Sequence, residues 1–209
     1  MDDNVQLSEL QCDAITELLN IGMGIAAHSL SQMVNEEVKL SIPSLEVLSR
    51  QQVANYFSIQ PPQKIAAIKQ HFYGPFWGDA LLLFPEKKRL ELVRILIKDE
   101  FPLELLAELE QDALMEVGNI ILNACLSSLA NVLTTSFTSD LPIFVAGTAA
   151  EILTACDFRE DEIVMFLRMD FALQTQDIEG YVAFILEIPA IEQFKANIDR
   201  YLKGFGHGT

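Results

Sequence analysis

The chain contains an internal repeat, which constrains its fold more than any other feature of the sequence. Adding 99 to a position in the first half often leads to the same residue type, without a gap. The identical pairs are Glu9/Glu108, Leu10/Leu109, Asp13/Asp112, Ala14/Ala113, Glu17/Glu116, Asn20/Asn119, Ile21/Ile120, Ser29/Ser128, Leu30/Leu129 and Pro43/Pro142. A single repeat of this length indicates a duplicated half rather than a solenoid. We therefore expect one domain over residues 1–209 made of two pseudo-symmetric halves, 1–100 and 101–209.

The two halves share the same coarse pattern of predicted elements. In the first half we predict a helix over 8–34, strands over 38–43, 63–74 and 79–85, and a helix over 86–99. In the second half we predict a helix over 102–133, strands over 143–153, 162–173 and 181–189, and a helix over 190–202. Ser8 and Gln11 fit a capping box, and Pro102 suits a first helical position. This order predicts an α+β fold: a pseudo-two-fold duplicated α/β unit with long surface helices packed on a mainly antiparallel β-sheet.

The composition is that of a globular protein. Half of the 209 residues are hydrophobic and 21% are charged, which is typical of a folded chain and not of a disordered one. We see no signal peptide and no run of about 18 apolar residues, so we expect no membrane insertion. Cys12, Cys125 and Cys156 are odd in number and lack zinc-ligand spacing, which is typical of reduced cysteines in the cytoplasm.

The net charge of −16 makes nucleic acid or an anionic membrane a poor partner for this chain. The distribution of cations says more than their number. There is no Lys or Arg before Lys39, and none between Lys98 and Arg159. Both copies of the repeated helix therefore lie in cation-free sequence, and we do not expect them to bind a free anion through basic side chains.

The repeated helix carries the pattern D-x-x-x-E-x-x-N. With about 100° per residue and Asp13 at 0°, Glu17 lies near 40° and Asn20 near −20°, so their side chains share one narrow stripe. Asp112, Glu116 and Asn119 repeat this arrangement. We expect the stripe to face outward. The residues expected to face the sheet are Leu10, Ile15, Leu18, Leu19, Ile21, Ile25 and Leu30.

Two plainer interpretations compete with a functional site. A polar stripe on an amphipathic helix is often only a solvated face, but Asn is a poor helix-interior residue, and its presence twice at the same place favours a role. A carboxylate-bridged metal site is the other alternative. Such bundles use E-x-x-H, whereas both copies here have E-x-x-N, and no histidine falls at ligand spacing. We therefore expect no metal site in this chain.

The full pattern D-x3-E-x2-N-x22-P resembles the signature of the CheC/CheX/FliY family of chemotaxis phosphatases. It occurs as Asp13, Glu17, Asn20 and Pro43, and again as Asp112, Glu116, Asn119 and Pro142. The resemblance implies hydrolysis of the aspartyl phosphate of a CheY-like response regulator. It implies that the two glutamates dock on a lysine of the regulator and that the two asparagines orient the attacking water. It also implies CheD as a further partner.

The chemistry agrees with these implied roles. An acyl phosphate is already reactive, so hydrolysis is limited by placing a water in line with the leaving oxygen. A carboxamide can both donate to and accept from that water, but it is not a strong base. Phosphoryl transfer needs positive charge on the phosphoryl oxygens, and the two repeated helices offer none. We therefore expect no cofactor bound by this chain and a Mg²⁺ in the partner regulator. The alternative function is a non-catalytic module that binds the phosphorylated regulator or CheD. A flagellar switch component would need a FliN-like segment, which we do not find.

Overall fold

The computed structural model describes residues 6–58, 64–97, 103–154, 156, 162–173 and 176–205. The helices are α1 (Glu9–Val34), α2 (Arg50–Tyr56), α3 (Glu86–Ile97), α4 (Leu103–Leu133), α5 (Ala149–Thr154) and α6 (Ile188–Phe205). The strands are β1 (Val38–Leu48), β2 (Lys64–Tyr73), β3 (Gly78–Pro85), β4 (Thr138–Ser139), β5 (Ile143–Thr148), β6 (Glu162–Leu173) and β7 (Gln176–Glu187). Both halves run through the same order, except that β4 and β5 stand where the first half has the continuous strand β1.

The strands form a single antiparallel sheet in the described part of the chain. The order is β1-β6-β7-β3-β2, and β4 and β5 both pair with the remaining edge of β2. The order reads the same from either edge if β1, β2 and β3 are exchanged with β5, β6 and β7. The predicted α+β class with helices on an antiparallel sheet is confirmed. The assignment of residues 1–209 to one domain stays a prediction.

Each face of the sheet is covered by a different set of helices. β3 alternates between the two faces: Ala80, Leu82 and Phe84 join a core with α1, α3, α4 and α6, whereas Leu81 and Leu83 join a second core with α2 and α5. This strand is buried on both sides. The long helices α1 and α4 lie on the larger core, and α1 also contacts α4 directly.

Two short helices, α2 and α5, were not predicted from the sequence. The predicted strand over 143–153 is wrong beyond Thr148, because α5 begins at residue 149. Thr148 and Glu151 cap this helix reciprocally: the Glu151 carboxylate accepts from the Thr148 N–H, and the Thr148 hydroxyl accepts from the Glu151 N–H. Ser49 and Gln52 form the same capping box before α2. The box predicted at Ser8 and Gln11 is confirmed at the start of α1.

The inward face of α1 is narrower than its hydrophobic pattern predicts. Leu10, Ile21 and Ile25 were expected to face the sheet, but they are 62%, 55% and 59% exposed. The buried arc instead centres on small and apolar residues such as Gly22 and Ala26, where α1 meets α4 and the sheet. A Cβ on Gly22 would lie 2.5 Å from the Ser128 hydroxyl oxygen of α4, so the two helices approach closely there. This close approach turns the larger apolar side chains outward.

The central part of α4 is apolar enough to raise the question of a membrane. Over Leu109–Leu133, in the described part of the chain, it has the length and composition of a membrane-spanning helix, and half of that window is buried in the fold. Leu114, Val117 and Ile121 lie fully buried in the larger core. A core helix of a folded domain has the same features, and the expected absence of membrane insertion stays a prediction.

Candidate functional site

The first candidate site lies on α1, where that helix passes the edge strand β1. Asp13 and Glu17 are exposed, as the stripe predicts, and Asn20 is half-buried one turn after Glu17. Asn20 lies at the border between the solvated stripe and the buried arc of the helix, so its side chain reaches the strand instead of open solvent.

The Asn20 carboxamide binds the backbone of Ile42 at two points. Its Nδ2 donates to the Ile42 carbonyl oxygen at 3.1 Å, and its Oδ1 accepts from the Ile42 N–H at 2.8 Å. β1 contains a bulge here: the register against β6 shifts between Ser41 and Ser44. The bulge frees the Ile42 N–H and carbonyl from β6, and Pro43, which has no N–H, is exposed at the sheet edge. Pro43 of the motif therefore directly follows Ile42, whose backbone binds Asn20 of the motif.

The second candidate site lies on α4 at the opposite edge of the sheet. Asp112 and Glu116 are exposed and Asn119 is half-buried, which repeats the pattern of the first site. The carboxamide of Asn119 is held differently. Its Oδ1 accepts a hydrogen bond from Asn123 Nδ2 at 2.7 Å, and its NH₂ group has no partner among the described residues.

The segment after β4 explains why Asn119 has no backbone partner like Ile42. Asp140 is fixed to β2: its N–H donates to the His71 carbonyl at 2.9 Å, and its carbonyl accepts from Gln70 at 3.0 Å. Tyr73 also donates its hydroxyl to the Asp140 carboxylate at 3.0 Å. Leu141, the counterpart of Ile42, is consequently 87% exposed. Pro142 follows it and is half-buried.

A small polar network supports the second site, and the sequence motif did not reveal it. Asn123 Oδ1 accepts from the Ser139 hydroxyl at 3.2 Å and lies 3.5 Å from Gln70 Nε2, which also donates to Ser139 at 3.0 Å. One sign of this network was present in the sequence. The two copies of the repeat differ at Asn123, which corresponds to Gly24. The link to β2 depends on tertiary packing and has no local signal.

Neither site contains a group of metal ligands. Among the described residues, no cluster of three or more His, Cys, Asp or Glu side chains is arranged to hold a metal ion. α1 and the described part of α4 contain no Lys or Arg. The two helices can therefore offer carboxylates and carboxamides to a partner.

This arrangement defines a class of protein. An antiparallel sheet is covered by two long helices, and each helix presents an exposed Glu and a half-buried Asn. Sequence comparison gives relatives with partial identity to this chain. The chain is 28% identical over 129 residues to the CheY-P phosphatase CheC of Bacillus subtilis, covering 60% of this chain and 61% of CheC. It is 28% identical over 130 residues to the flagellar motor switch phosphatase FliY of the same species, covering 33% of FliY. A CheC1 protein of Halobacterium salinarum is 23% identical over 95% of this chain and 99% of its own length.

Solved structures give the same fold. FliY of Thermotoga maritima aligns with a TM-score of 0.74 at 16% identity, over 93% of this chain and 98% of the FliY chain. A CheX chain crystallised with CheY, BeF₃ and Mg²⁺ from Borrelia burgdorferi aligns with a TM-score of 0.51 at 19% identity, over 80% of this chain and 97% of CheX. No family model matches the chain. The resemblance to the CheC/CheX/FliY family, predicted from the repeated motif, is thus confirmed. The matched stretch spans less than two thirds of the Bacillus CheC and FliY proteins.

Proposed function

We propose that this chain is a phosphatase that hydrolyses the aspartyl phosphate of a CheY-like response regulator. The observation that carries the proposal is the pair of Glu–Asn sites on cation-free helices, in a chain related in sequence to proteins named CheY-P phosphatases. Both sites stand at the surface, on opposite edges of one sheet. Such a surface suits a macromolecular substrate, because the described residues around the two sites form no closed cavity that would enclose a small molecule.

Docking is the role of the exposed glutamates in this proposal. Glu17 and Glu116 are solvent-accessible and bind a lysine of the regulator through a charge-assisted contact. Around the first site the exposed side chains of Ile21 and Ile25, one and two turns beyond Glu17, add an apolar surface. Exposed apolar residues beside a polar anchor are typical of protein interaction surfaces.

Positioning of water is the role of the asparagines. Phosphoryl transfer requires the attacking and leaving oxygens to lie roughly in line, and little covalent chemistry is left for the protein. A carboxamide oxygen has two lone pairs and the NH₂ group has two hydrogens, so each asparagine keeps capacity for a water after its intramolecular hydrogen bonds are made. Asn20 keeps one N–H and one lone pair; Asn119 keeps both N–H groups and one lone pair.

The positive charge that phosphoryl transfer requires comes from the partner in this proposal. The regulator supplies a Mg²⁺ and a lysine, and this chain binds no cofactor of its own. A Mg²⁺ accompanies CheY and BeF₃ in the complex of the related CheX. The acidic chain, with its net charge of −16, also favours association with a basic patch on the regulator.

The test is the decay of a phosphorylated CheY-like receiver domain with increasing amounts of this protein. A phosphatase accelerates decay at substoichiometric amounts and turns over repeatedly. A non-catalytic module that only captures the phosphorylated regulator leaves the decay unchanged or slows it, and this result would reject the phosphatase. A cytoplasmic location and association with CheD are part of the same proposal and stay predictions.

A further inference from the structure

The two candidate asparagines, Asn20 and Asn119, form hydrogen bonds with different partners. This difference supports an inference about the second site. Asn20 has the edge of its carboxamide, oxygen and N–H together, occupied by the backbone of Ile42. With the described residues, Asn119 forms a hydrogen bond through its oxygen alone, which accepts from Asn123 at 2.7 Å. An amide oxygen that accepts from a fixed donor can no longer exchange places with its NH₂ group without losing that hydrogen bond. The Asn123 donor therefore sets which end of the Asn119 carboxamide faces outward.

Asn123 is itself fixed from two sides. Its Oδ1 accepts from the Ser139 hydroxyl at 3.2 Å, and Gln70 Nε2 stands 3.5 Å from the same oxygen. With its oxygen engaged there, its Nδ2 is directed to Asn119. Gln70 is anchored in turn by the Asp140 carbonyl, an acceptor that requires its NH₂ group on this side. The orientation of the Asn119 carboxamide therefore depends on a series of hydrogen-bonded amides, which begins at Gln70 on β2 and reaches the surface through Asn123.

This network has no counterpart at the first site, so it is not a general requirement of the repeated fold. The counterparts of Asn123, Gln70 and Ser139 at the repeat distance are Gly24, Met169 and Leu40, none of which has a polar side chain. Met169 is fully buried in the larger core. The fold therefore accepts an apolar residue, Met169, at the position equivalent to Gln70.

Gln70 is an unfavourable choice for packing alone. It is 2% exposed, and its Oε1 has no hydrogen-bond partner among the described residues. A buried polar atom without a partner destabilises a folded domain compared with an apolar side chain of similar shape. A role in ordering Asn123 and the segment around Asp140 gives this buried amide a purpose that packing does not.

We propose that Asn123 is a positioning residue of the second site, supported by Gln70 and Ser139. It holds the Asn119 carboxamide with its oxygen turned inward and its NH₂ group free to bind the attacking water. The inference rests on the proposed phosphatase function and deepens it, because it makes the two sites chemically unequal. At the first site Gly24 stands at the position equivalent to Asn123, and the backbone of Ile42 holds the carboxamide of Asn20.

The test uses Asn123→Asp in an Asn20→Ala background, where only the second site works. The substitution keeps the size and the acceptors of the side chain but removes the donor to Asn119. The carboxamide of Asn119 then turns its NH₂ group inward to the new carboxylate. Asn131→Asp is the matched control, since it places the same charge on an exposed residue two turns further along α4. Asn123→Gly, which copies Gly24, removes the donor without adding charge.

The expected result is a fall in kcat of about tenfold or more for both Asn123 variants, with KM for the phosphorylated receiver within about twofold of the parent. Asn131→Asp keeps the kcat of the parent. In an Asn119→Ala background, where only the first site works, Asn123→Asp has no effect on kcat. An unchanged kcat in the Asn20→Ala background overturns the inference. An equal loss in the Asn119→Ala background also overturns it, because the effect would then be structural.

A second readout separates this inference from the proposed function. The side-chain NH₂ resonances of Asn119 in a ¹H–¹⁵N spectrum of the free protein report its hydrogen bonding without any substrate. They shift in Asn123→Asp and Asn123→Gly and stay in place in Asn131→Asp. If the Asn20→Ala parent shows no turnover, the proposed function of the second site fails. In that case the NH₂ resonances of Asn119 are the only test of the positioning role of Asn123. Resonances that do not shift in the Asn123 variants overturn that role.

Discussion

Asn20 forms two hydrogen bonds with the backbone of Ile42, one to its carbonyl at 3.1 Å and one from its N–H at 2.8 Å. The same residue type in the second half, Asn119, has one hydrogen-bond partner in the described part of the chain, the side chain of Asn123. The first asparagine thus joins α1 to the edge of the sheet, whereas the second is held within its own helix. The motif asparagine therefore contributes differently to stability in the two halves.

This difference predicts unequal losses of stability. Asn20→Ala leaves the N–H and the carbonyl of Ile42 without their partner, and we expect the free energy of unfolding to fall by about 1–3 kcal/mol. Asn119→Ala removes one hydrogen bond between half-buried side chains, and we expect a loss below about 1 kcal/mol. Urea unfolding followed by circular dichroism measures both. Equal losses, or a larger loss for Asn119→Ala, would contradict the role given to the Ile42 contact.

The docking role of the glutamates predicts an effect on KM. Glu116→Lys in the Asn20→Ala background sets a like charge against the lysine of the regulator, and we expect KM for the phosphorylated receiver to rise about tenfold or more. kcat changes little, because the substitution leaves Asn119 in place. Glu192→Lys makes the same charge change on an exposed residue of α6 and serves as the control. A loss confined to kcat would contradict a docking role for Glu116.

Two glycines of α1 give a matched pair of opposite predictions. A Cβ on Gly24 meets nothing within 4 Å, so Gly24→Ala replaces a poor helix former and raises the free energy of unfolding by about 0.5–1 kcal/mol. A Cβ on Gly22 would lie 2.8 Å from the Ala124 backbone oxygen of α4. Gly22→Ala therefore forces α1 and α4 apart and lowers the free energy of unfolding by about 1–3 kcal/mol. Thermal unfolding of the two variants compares them directly, and a destabilised Gly24→Ala would show that the site is not open.

The three free cysteines predict a dependence of reactivity and stability on pH. Burial raises the pKa of the Cys125 thiol to about 12, and burial together with the Asp79 carboxylate raises the pKa of Cys156 to about 12. Both thiols stay protonated in the folded protein at pH 9, where about half or more of the thiols of the unfolded chain are ionised. Their contribution to stability is therefore complete below about pH 8 and is lost as the pH rises through 9 to 12.

Thiol labelling of the folded protein at pH 8 measures this prediction. We expect the half-buried Cys12 to react first and the other two cysteines to react only at the rate of opening or unfolding. Cys12→Ser is the control, because it removes the fast phase and leaves the slow one. Rapid labelling of Cys125 in that variant would show that its thiol is accessible.

The sequence pattern predicted the repeated helices and the strands that follow them because those features are local or periodic. The first turns of α1 are enough to predict two features of this helix. These are the capping box of Ser8 and Gln11 and the inward-facing side chains of Ile15 and Leu19. α5 was missed because the apolar run over 143–153 has the composition of a strand, and the cap at Thr148 decides its end. Local chemistry there outweighs β propensity.

The orientation of the candidate side chains could not be predicted in the same way. The exposure of Ile21 and Ile25 follows from the close approach of α1 to α4, which depends on a second helix. The contact of Asn20 with Ile42 requires a bulge in β1, and the contact of Asn123 with Gln70 requires β2 to lie beneath α4. These relationships join residues far apart in the sequence, and no spacing rule encodes them.

The most direct test of the account is the decay rate of a phosphorylated CheY-like receiver in the presence of the wild-type chain, Asn20→Ala, Asn119→Ala and the double variant. We expect the wild type to accelerate decay catalytically and the double variant to lose the acceleration while it still folds. We also expect Asn119→Ala to lose more activity than Asn20→Ala, because the Ile42 backbone already occupies the carboxamide edge of Asn20. An acceleration that persists unchanged in the folded double variant would contradict the account.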